Sequence, residues 1–317
     1  MSKKLKLAVI FGGKSAEHDI SINSAKQVIA ALNKNKYQIT PIKISRKGKW
    51  SQNLNKNIFD LVLPIFHGSF GEDGKLQGML EMMEVKYVFS GVLSSALCMN
   101  KKISKIIVKN LGFKIPQDTI IERGQQYNIE EVLEKIPLPL FVKPNQLGSS
   151  IGGSIIKQKR DLKKGINLAL KFDQVVIIEK YLEGRELTVA VMGNKKPEAL
   201  PVIEIIPQVS DYFDYRAKYE VGGSLEICPA QIPANISQKV QREAIEIYKA
   251  LNCFDLARLD FIWPKDSNEI YFIEINTIPG MTKTSLVPKA AKAAGVNFKE
   301  LLDKIIQMAQ KRYLNEK

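Results

Sequence analysis

The sequence has few cysteines, few arginines and no long apolar run. Cys98, Cys228 and Cys253 are widely spaced along the 317 residues, and none belongs to a C-x-x-C pair. An odd, scattered set argues against disulfides and zinc, and it favours a reducing cytoplasm. No stretch approaches the roughly 20 apolar residues of a membrane span, so no membrane partner is expected. The start, MSKKLKLAVIF, is charged like a signal peptide, but its apolar run is short and predicts a first strand.

The charge balance is strongly basic but poor in arginine. The net charge is +14, and 39 of the 47 basic residues are lysine. Such a charge raises nucleic acid as a possible partner. The side chains that recognise bases and phosphates are more often arginine than lysine, and the lysines here are scattered along the chain. We therefore expect no nucleic-acid partner.

The length predicts two or three domains. Strand and helix patterns alternate over residues 1–90, which predicts an α/β domain with a parallel sheet. Two glycine-rich turns, GGKS and HGSFGEDG, follow predicted strands, where such sheets bind ligands. Neither turn fits the dinucleotide fingerprint or the Walker A loop. Glu17 and His67 lie on these turns and are candidate ligands for a small amine or carboxylate.

A second domain is predicted over residues 91–180. A helix is expected from Ser94 to Leu111, and a strand ends at Lys143 before the segment NQLGSSIGGSIIK. Three glycines and three serines there predict a flexible hairpin flap, whose backbone N–H groups suit a polyphosphate. A merely mobile hairpin is the alternative.

A third domain is predicted over residues 181–317, with a hairpin formed by residues 256–263 and 270–275. Alternation along its strands puts Arg258 with Asp260 on one face, and Glu274 with Asn276. Two carboxylates and an amide oxygen are ligands that Mg²⁺ accepts. A plain salt bridge from Arg258 to either acid explains the same pattern equally well.

Several strings, in this order, resemble the D-alanine–D-alanine ligase family of the ATP-grasp superfamily. They are GGKSAEHDIS, HGSFGEDGKLQGMLE, KPNQLGSSIG, IEKYLEGRELTV, FDYRAKY, ARLDF and FIEINTIPGMTKTSLVP. The resemblance covers nearly the whole chain and implies a three-domain ATP-grasp fold with mixed α/β and α+β elements. It implies a cytoplasmic homodimer that joins two D-alanines through a D-alanyl phosphate, releasing ADP and phosphate, for peptidoglycan synthesis.

The resemblance also implies a role for each matching residue. The expected ligands of two Mg²⁺ or Mn²⁺ ions are Asp260, Glu274 and Asn276. The expected ATP contacts are Lys101, Lys143, Glu179, Lys180, Leu182, Glu186 and Lys218. The expected catalytic and first-substrate residues are Glu17, His67, Ser149, Tyr219, Arg258 and Gly280. Ser285 and Leu286 are expected to hold the carboxylate of the second substrate.

Three alternatives remain open on the sequence. A related ligase with D-serine or D-lactate as acceptor shares most of the motifs. A nucleic-acid-binding protein would explain the net charge of +14. A catalytically inactive binding module is disfavoured because Lys143, Arg258 and Asp260 are all present. One departure from many relatives is Asn100, where they have aspartate.

Overall fold

The structure is a computed structural model that describes residues 3–148, 150–209, 212–213, 220, 222–264 and 267–315. Within these ranges the strands form three sheets, which follow one another along the chain. The mixture of a parallel sheet with two largely antiparallel sheets confirms the predicted α/β class with α+β elements.

The first sheet is parallel, as the alternating pattern predicts, and has the strand order β2-β1-β3. The sequence pattern also predicts a strand over residues 87–90, which is wrong, since only Tyr87 forms a bridge, to Val62. The elements of this region are β1 (Leu5–Gly12), the helix His18–Ala31, β2 (Tyr37–Ile44), β3 (Leu61–Ile65) and the helix Lys75–Met82.

The single helix predicted over residues 94–111 is two helices, Val92–Met99 and Lys101–Asn110. Asn100 separates them because its backbone is extended, with φ −86° and ψ 94°. Its side-chain oxygen accepts the N–H of Ile103 at 3.2 Å and caps the second helix. Asparagine is a favourable N-cap residue, so Asn100 has a structural role here.

The second sheet has four strands in the order β4-β7-β5-β6, and its neighbours are antiparallel. The strand pair β5–β6 encloses the glycine-rich segment, as expected for a flap at the end of a hairpin. The elements are β4 (Asp118–Glu122), the helix Ile129–Lys135, β5 (Leu140–Pro144), β6 (Ser154–Ile156), the helix Lys159–Ala169 and β7 (Val175–Lys180).

The third sheet has the order β11-β10-β8-β12-β13, with β9 added beside β8. Its last two strands are the predicted hairpin, which is antiparallel with an irregularity after Asp260. The elements are β8 (Gly184–Met192), β9 (Glu198–Ala199), β10 (Ile203–Pro207), β11 (Ser224–Ile227), the helix Ala234–Ala250, β12 (Leu256–Pro264), β13 (Tyr271–Asn276) and the helices Leu286–Ala293 and Phe298–Asn315.

Two apolar cores join segments that are far apart in sequence. Leu301 and Ile305 of the last helix pack in one core with Leu7 and Leu63 of the first sheet. In another core, Cys98 packs with the six-stranded sheet. The last helix therefore packs against the first sheet, and the helix that contains Cys98 packs against the third sheet.

Among the described residues, no helix combines the length and the apolar character needed to cross a membrane.

Candidate active site

Two adjoining cavities lie beside the β12–β13 hairpin. One is a cleft of about 860 Å³ whose lining comes from both antiparallel sheets; we call it the nucleotide cleft. The other is a cavity of about 1440 Å³ between the turns of the first sheet and the segment after β13; we call it the substrate cavity. Glu274 and Phe213 line both. The hairpin thus forms a wall common to two pockets.

Cross-strand register gathers the charged side chains of the hairpin on one face. Arg258 stands opposite Asn276, and Asp260 stands opposite Glu274. Because residues two apart on a strand share a face, all four side chains lie on the same side of the sheet. The prediction that each strand carries a polar pair on one face is confirmed, and the register adds that the two pairs meet.

Both carboxylates of this face form ion pairs with basic side chains. Arg258 donates from Nε and Nη2 to the two oxygens of Asp260, at 2.9 and 2.8 Å. Burial alone would lower the pKa of Arg258, but its bonds to Asp260 raise it above the ordinary value. The Nζ of Lys101 lies 3.2 Å from Glu274. The salt bridge that the sequence left open is therefore present, within a larger acid–base network.

The oxygen donors of this face suit a divalent cation. Asp260, Glu274 and Asn276 supply two carboxylates and an amide, which are hard ligands of the kind that Mg²⁺ takes. Among the described residues, no group of three or more His, Cys, Asp or Glu side chains is placed to hold a metal alone. In phosphoryl-transfer sites, water and substrate phosphates complete the shell of Mg²⁺.

The nucleotide cleft contains a buried acid with two lysines. Glu179 accepts a hydrogen bond from Nζ of Lys143 at 2.7 Å and another from Nζ of Lys105. Burial favours the neutral acid, but the two lysines outweigh it and lower the pKa of Glu179. Lys143 and Glu179, both predicted ATP contacts, therefore line the cleft as a charged pair.

The other predicted ATP contacts that the structure describes also line the cleft, namely Lys101, Lys180, Leu182 and Glu186. The Nζ of Lys101 donates to the backbone oxygen of Leu147 at 2.8 Å, which ties it to the flap. The Nζ of Lys180 donates to the carbonyls of Pro137 and Leu138, each at 3.0 Å. The charge of Lys180 is thus directed at the protein backbone.

Glu17 and His67, the candidate ligands on the two turns, both line the substrate cavity. A Cβ at Gly68 would lie 2.7 Å from Oε2 of Glu17, and one at Gly148 would lie 3.3 Å from it. Two glycines, one of them in the flap, therefore leave room for this carboxylate. His67 is buried, its Nε2 is 3.2 Å from Ser24 Oγ, and burial lowers its pKa.

The segment after β13 lines the far side of the substrate cavity with Gly280, Ser285 and Leu286. The Oγ of Ser285 accepts the backbone N–H of Thr282 at 3.1 Å and lies 2.7 Å from its hydroxyl. A Cβ at Gly280 would lie 3.0 Å from Oγ of Ser285. Glycine at this position therefore leaves the backbone open to the cavity, just before the helix that begins at Leu286.

Three predicted site residues, Ser149, Lys218 and Tyr219, lie outside the described residues. Three others reach the site without having been assigned a role. Glu72 lines the substrate cavity, Lys105 is paired with Glu179, and Thr188 donates its hydroxyl to Asp260 at 2.5 Å. Only Glu72 had a usable sequence signal, because it stands in the turn that contains His67.

Comparison with known proteins identifies the family. A D-ala D-ala ligase C-terminus model matches residues 107–307, and the corresponding N-terminus model matches residues 6–58 and 51–90. The chain belongs to the D-alanine–D-alanine ligase family. The sequence-based prediction of an ATP-grasp ligase is confirmed, and so is the enzyme class, a ligase that forms a C–N bond.

Individual relatives agree with this family. A D-alanine–D-alanine ligase B from Clostridium tetani is 39% identical, over 97% of this chain and 94% of its own length. The VanG D-Ala:D-Ser ligase from Enterococcus faecalis has a TM-score of 0.86 and 35% identity, over 97% of this chain and 100% of that structure. A Bacillus anthracis D-alanine–D-alanine ligase complexed with ATP has a TM-score of 0.84 and 33% identity, over 99% and 100%.

Proposed function

We propose that this chain joins two D-alanines in an ATP-dependent reaction, through a D-alanyl phosphate. The observation that carries the proposal is the hairpin face, which holds Arg258, Asp260 and Glu274 where the two cavities adjoin. A nucleotide on one side and an amino acid on the other would bring the γ-phosphoryl group and a carboxylate together. Phosphoryl transfer needs mainly this positioning and the stabilisation of charge.

In the first step, a carboxylate oxygen of the first D-alanine attacks the γ-phosphorus, and ADP leaves. Lys101 and Lys143 line the nucleotide cleft, and we propose that they bind the phosphates. Asp260, Glu274 and Asn276 would hold Mg²⁺ or Mn²⁺, which screens the negative charge of the β- and γ-phosphates when bound. Glu17 lines the substrate cavity, and in this proposal it binds the ammonium of the first D-alanine.

In the second step, the amine of the second D-alanine attacks the carbonyl carbon, loses a proton and expels phosphate. Arg258 and the N–H of Gly280, both at the substrate cavity, are suited to stabilise the oxyanion that develops. Ser285 and the start of the helix at Leu286 are suited to hold the acceptor carboxylate. The flap residue Gly148, packed near Glu17, would help to exclude water from the acyl phosphate.

The wider assignments belong to the same proposal. We propose that the enzyme supplies D-alanyl-D-alanine for peptidoglycan synthesis, and that it acts in the cytoplasm as a homodimer. The cytoplasm agrees with its three cysteines, which are all free thiols. The division into domains at residues 1–90, 91–180 and 181–317 also remains a proposal. Light scattering during size-exclusion chromatography tests the dimer, and a mass of one chain would contradict it.

The acceptor is the choice that most needs a test, since one similar structure is a D-Ala:D-Ser ligase. Equal concentrations of D-alanine, D-serine and D-lactate, with ATP and Mg²⁺, would be incubated at several pH values, and the products separated by mass spectrometry. We expect D-alanyl-D-alanine to dominate. A dominant mixed dipeptide or depsipeptide would contradict the proposed acceptor.

A further inference from the structure

Glu72 lies on the wall of the substrate cavity, and the mechanism above gives it no role. It belongs to the turn that follows β3 and begins at His67. The side chain is partly buried and shares the cavity with Glu17, His67 and Arg258. A second carboxyl so close to the predicted ammonium-binding acid requires a physical explanation, because like charges in a confined site disfavour each other.

The contacts of Glu72 fix the backbone of this turn. Its Oε2 accepts the N–H of Gly68 at 2.6 Å. Gly68 has a φ of +75°, which glycine adopts readily and other residues rarely do. Gly68 is also the residue whose missing Cβ leaves room for the carboxylate of Glu17. Glu72 therefore holds the piece of backbone against which Glu17 rests.

The far end of the same turn is held separately. The Nε2 of Gln77 donates to the carbonyl oxygen of Gly71 at 2.8 Å, and Gln77 is buried in the following helix. Loss of the Glu72 contact would remove the bond to the Gly68 N–H, while the Gly68 carbonyl still accepts the N–H groups of Gly71 and Glu72 at 3.3 and 3.1 Å, and Gly71 keeps its bond to Gln77. A local displacement beside Glu17 is expected, without unfolding of the turn.

The electrostatic setting agrees with a role as a hydrogen-bond acceptor. Burial, and then the charge of Glu17, raise the pKa of Glu72 to about 8, although the Gly68 N–H and Arg258 act in the opposite direction. Glu274 adds to the rise. Glu72 therefore takes up a proton more readily than an ordinary glutamate, and a neutral carboxyl still accepts a hydrogen bond through its carbonyl oxygen.

We propose that Glu72 is a positioning residue for the first substrate, which holds the His67–Gly68 turn against Glu17 and so sets the place of the substrate ammonium. The inference rests on the proposed function, in which Glu17 binds that ammonium. Glu72 acts through Glu17, so its contribution belongs to binding of the first D-alanine and not to binding of ATP.

Steady-state kinetics of ADP release in Glu72→Ala, Glu72→Asp and Glu72→Gln tests this assignment at pH 7. In Glu72→Ala the Gly68 N–H loses its acceptor, and in Glu72→Asp the shorter side chain no longer reaches it. In both variants we expect the KM for the first D-alanine to rise about tenfold. The KM for ATP stays within about twofold, because the nucleotide cleft is untouched. Glu72→Gln keeps an acceptor oxygen at the same reach, so all constants stay within about twofold.

Glu84→Ala is the matched control, because Glu84 is an exposed glutamate of the same region, paired with Lys56 away from both cavities. Its constants should equal those of the wild type. A Glu72→Gln variant as impaired as Glu72→Asp would overturn the proposal, and so would an unchanged KM for the first D-alanine in Glu72→Asp. A wild-type chain without D-alanine-dependent ADP release would instead contradict the proposed function.

Discussion

The nucleotide cleft and the substrate cavity share the wall formed by Glu274, yet their acids differ in protonation. In the cleft, Lys105 and Lys143 lower the pKa of Glu179, so this buried acid stays ionised. In the cavity, burial and a neighbouring carboxylate raise the pKa of Glu72 to about 8. The comparison shows that burial has the same sign at both acids and that the nearby charges decide the outcome.

The difference matches the ligands that each pocket is proposed to take. The cleft keeps lysines in place through acidic partners, which suits phosphates that later compete for those lysines. The cavity gathers carboxyl groups near one another, which suits an ammonium that relieves their mutual repulsion. Arg258 stands at the boundary, partly buried beside Asp260, where the reacting carboxylate would come to lie.

The largest expected effect comes from the wall itself. Asp260→Asn removes a carboxylate charge from the proposed metal ligands and from the partner of Arg258, so kcat should fall roughly 10³-fold. Glu269→Gln is the matched control, because Glu269 lies near the same hairpin but pairs with Lys239 on the surface. Stopped assays of ADP release measure both variants. Turnover of Asp260→Asn at the wild-type rate would rule out the metal role.

A change on the cleft side should affect ATP more than D-alanine. Lys143→Met removes a cation that lines the cleft while Lys105 still neutralises Glu179. We expect the KM for ATP to rise roughly tenfold to 100-fold, and the KM for the first D-alanine to change less than threefold. Lys159→Met, at an exposed lysine paired with Glu130, serves as control. Equal changes in both KM values would remove the distinction between the two pockets.

The two pockets should also respond differently to pH. As the pH rises from 6.5 to 8.5, Glu72 ionises with a pKa of about 8 and adds negative charge near the proposed ammonium site. The KM for the first D-alanine should therefore fall by a factor of roughly two to five. The pKa of Glu179 is lowered, so its charge and the KM for ATP should stay constant. The fall should be absent in Glu72→Gln; its persistence there would assign it to another group.

The smallest expected effect concerns stability. Burial lowers the pKa of His67. Below pH 6.5 this side chain therefore binds a proton in the unfolded chain more readily than in the folded chain. The free energy of unfolding then falls with decreasing pH, by at most ~1.4 kcal/mol per pH unit from this group. Urea titrations of wild type and His67→Gln from pH 7 to 5.5 measure it. Parallel slopes in the two proteins would contradict a neutral, buried His67.

Much of the fold follows from local patterns. The β12–β13 hairpin is predicted because alternation and turn residues act over a few neighbours. The break at Asn100 is not, since it depends on a capping bond and on the N–H of Lys101, which reaches the carbonyl of Asn145 at 3.3 Å. The second of these bonds joins residues far apart in sequence, and the periodicity of a helix contains information about neither bond.

The candidate site divides in the same way. The shared face of Arg258 and Asp260 follows from the period of a strand, whereas the meeting of Asp260 with Glu274 depends on cross-strand register. The pairing of Glu179 with Lys105 and Lys143 joins a helix to two strands of a folded sheet. The protonation of Glu72 depends on Glu17, which comes from another turn. These relations exist only after the tertiary structure forms.

The most direct test of the account is the stoichiometry of one reaction. Purified chain, ATP, Mg²⁺ and D-alanine are mixed, and ADP, phosphate and D-alanyl-D-alanine are quantified together, with L-alanine as the parallel control. The account predicts one ADP and one phosphate for each dipeptide formed, and neither product nor ADP above background with L-alanine. ADP release without dipeptide, or equal turnover of L-alanine, would contradict it.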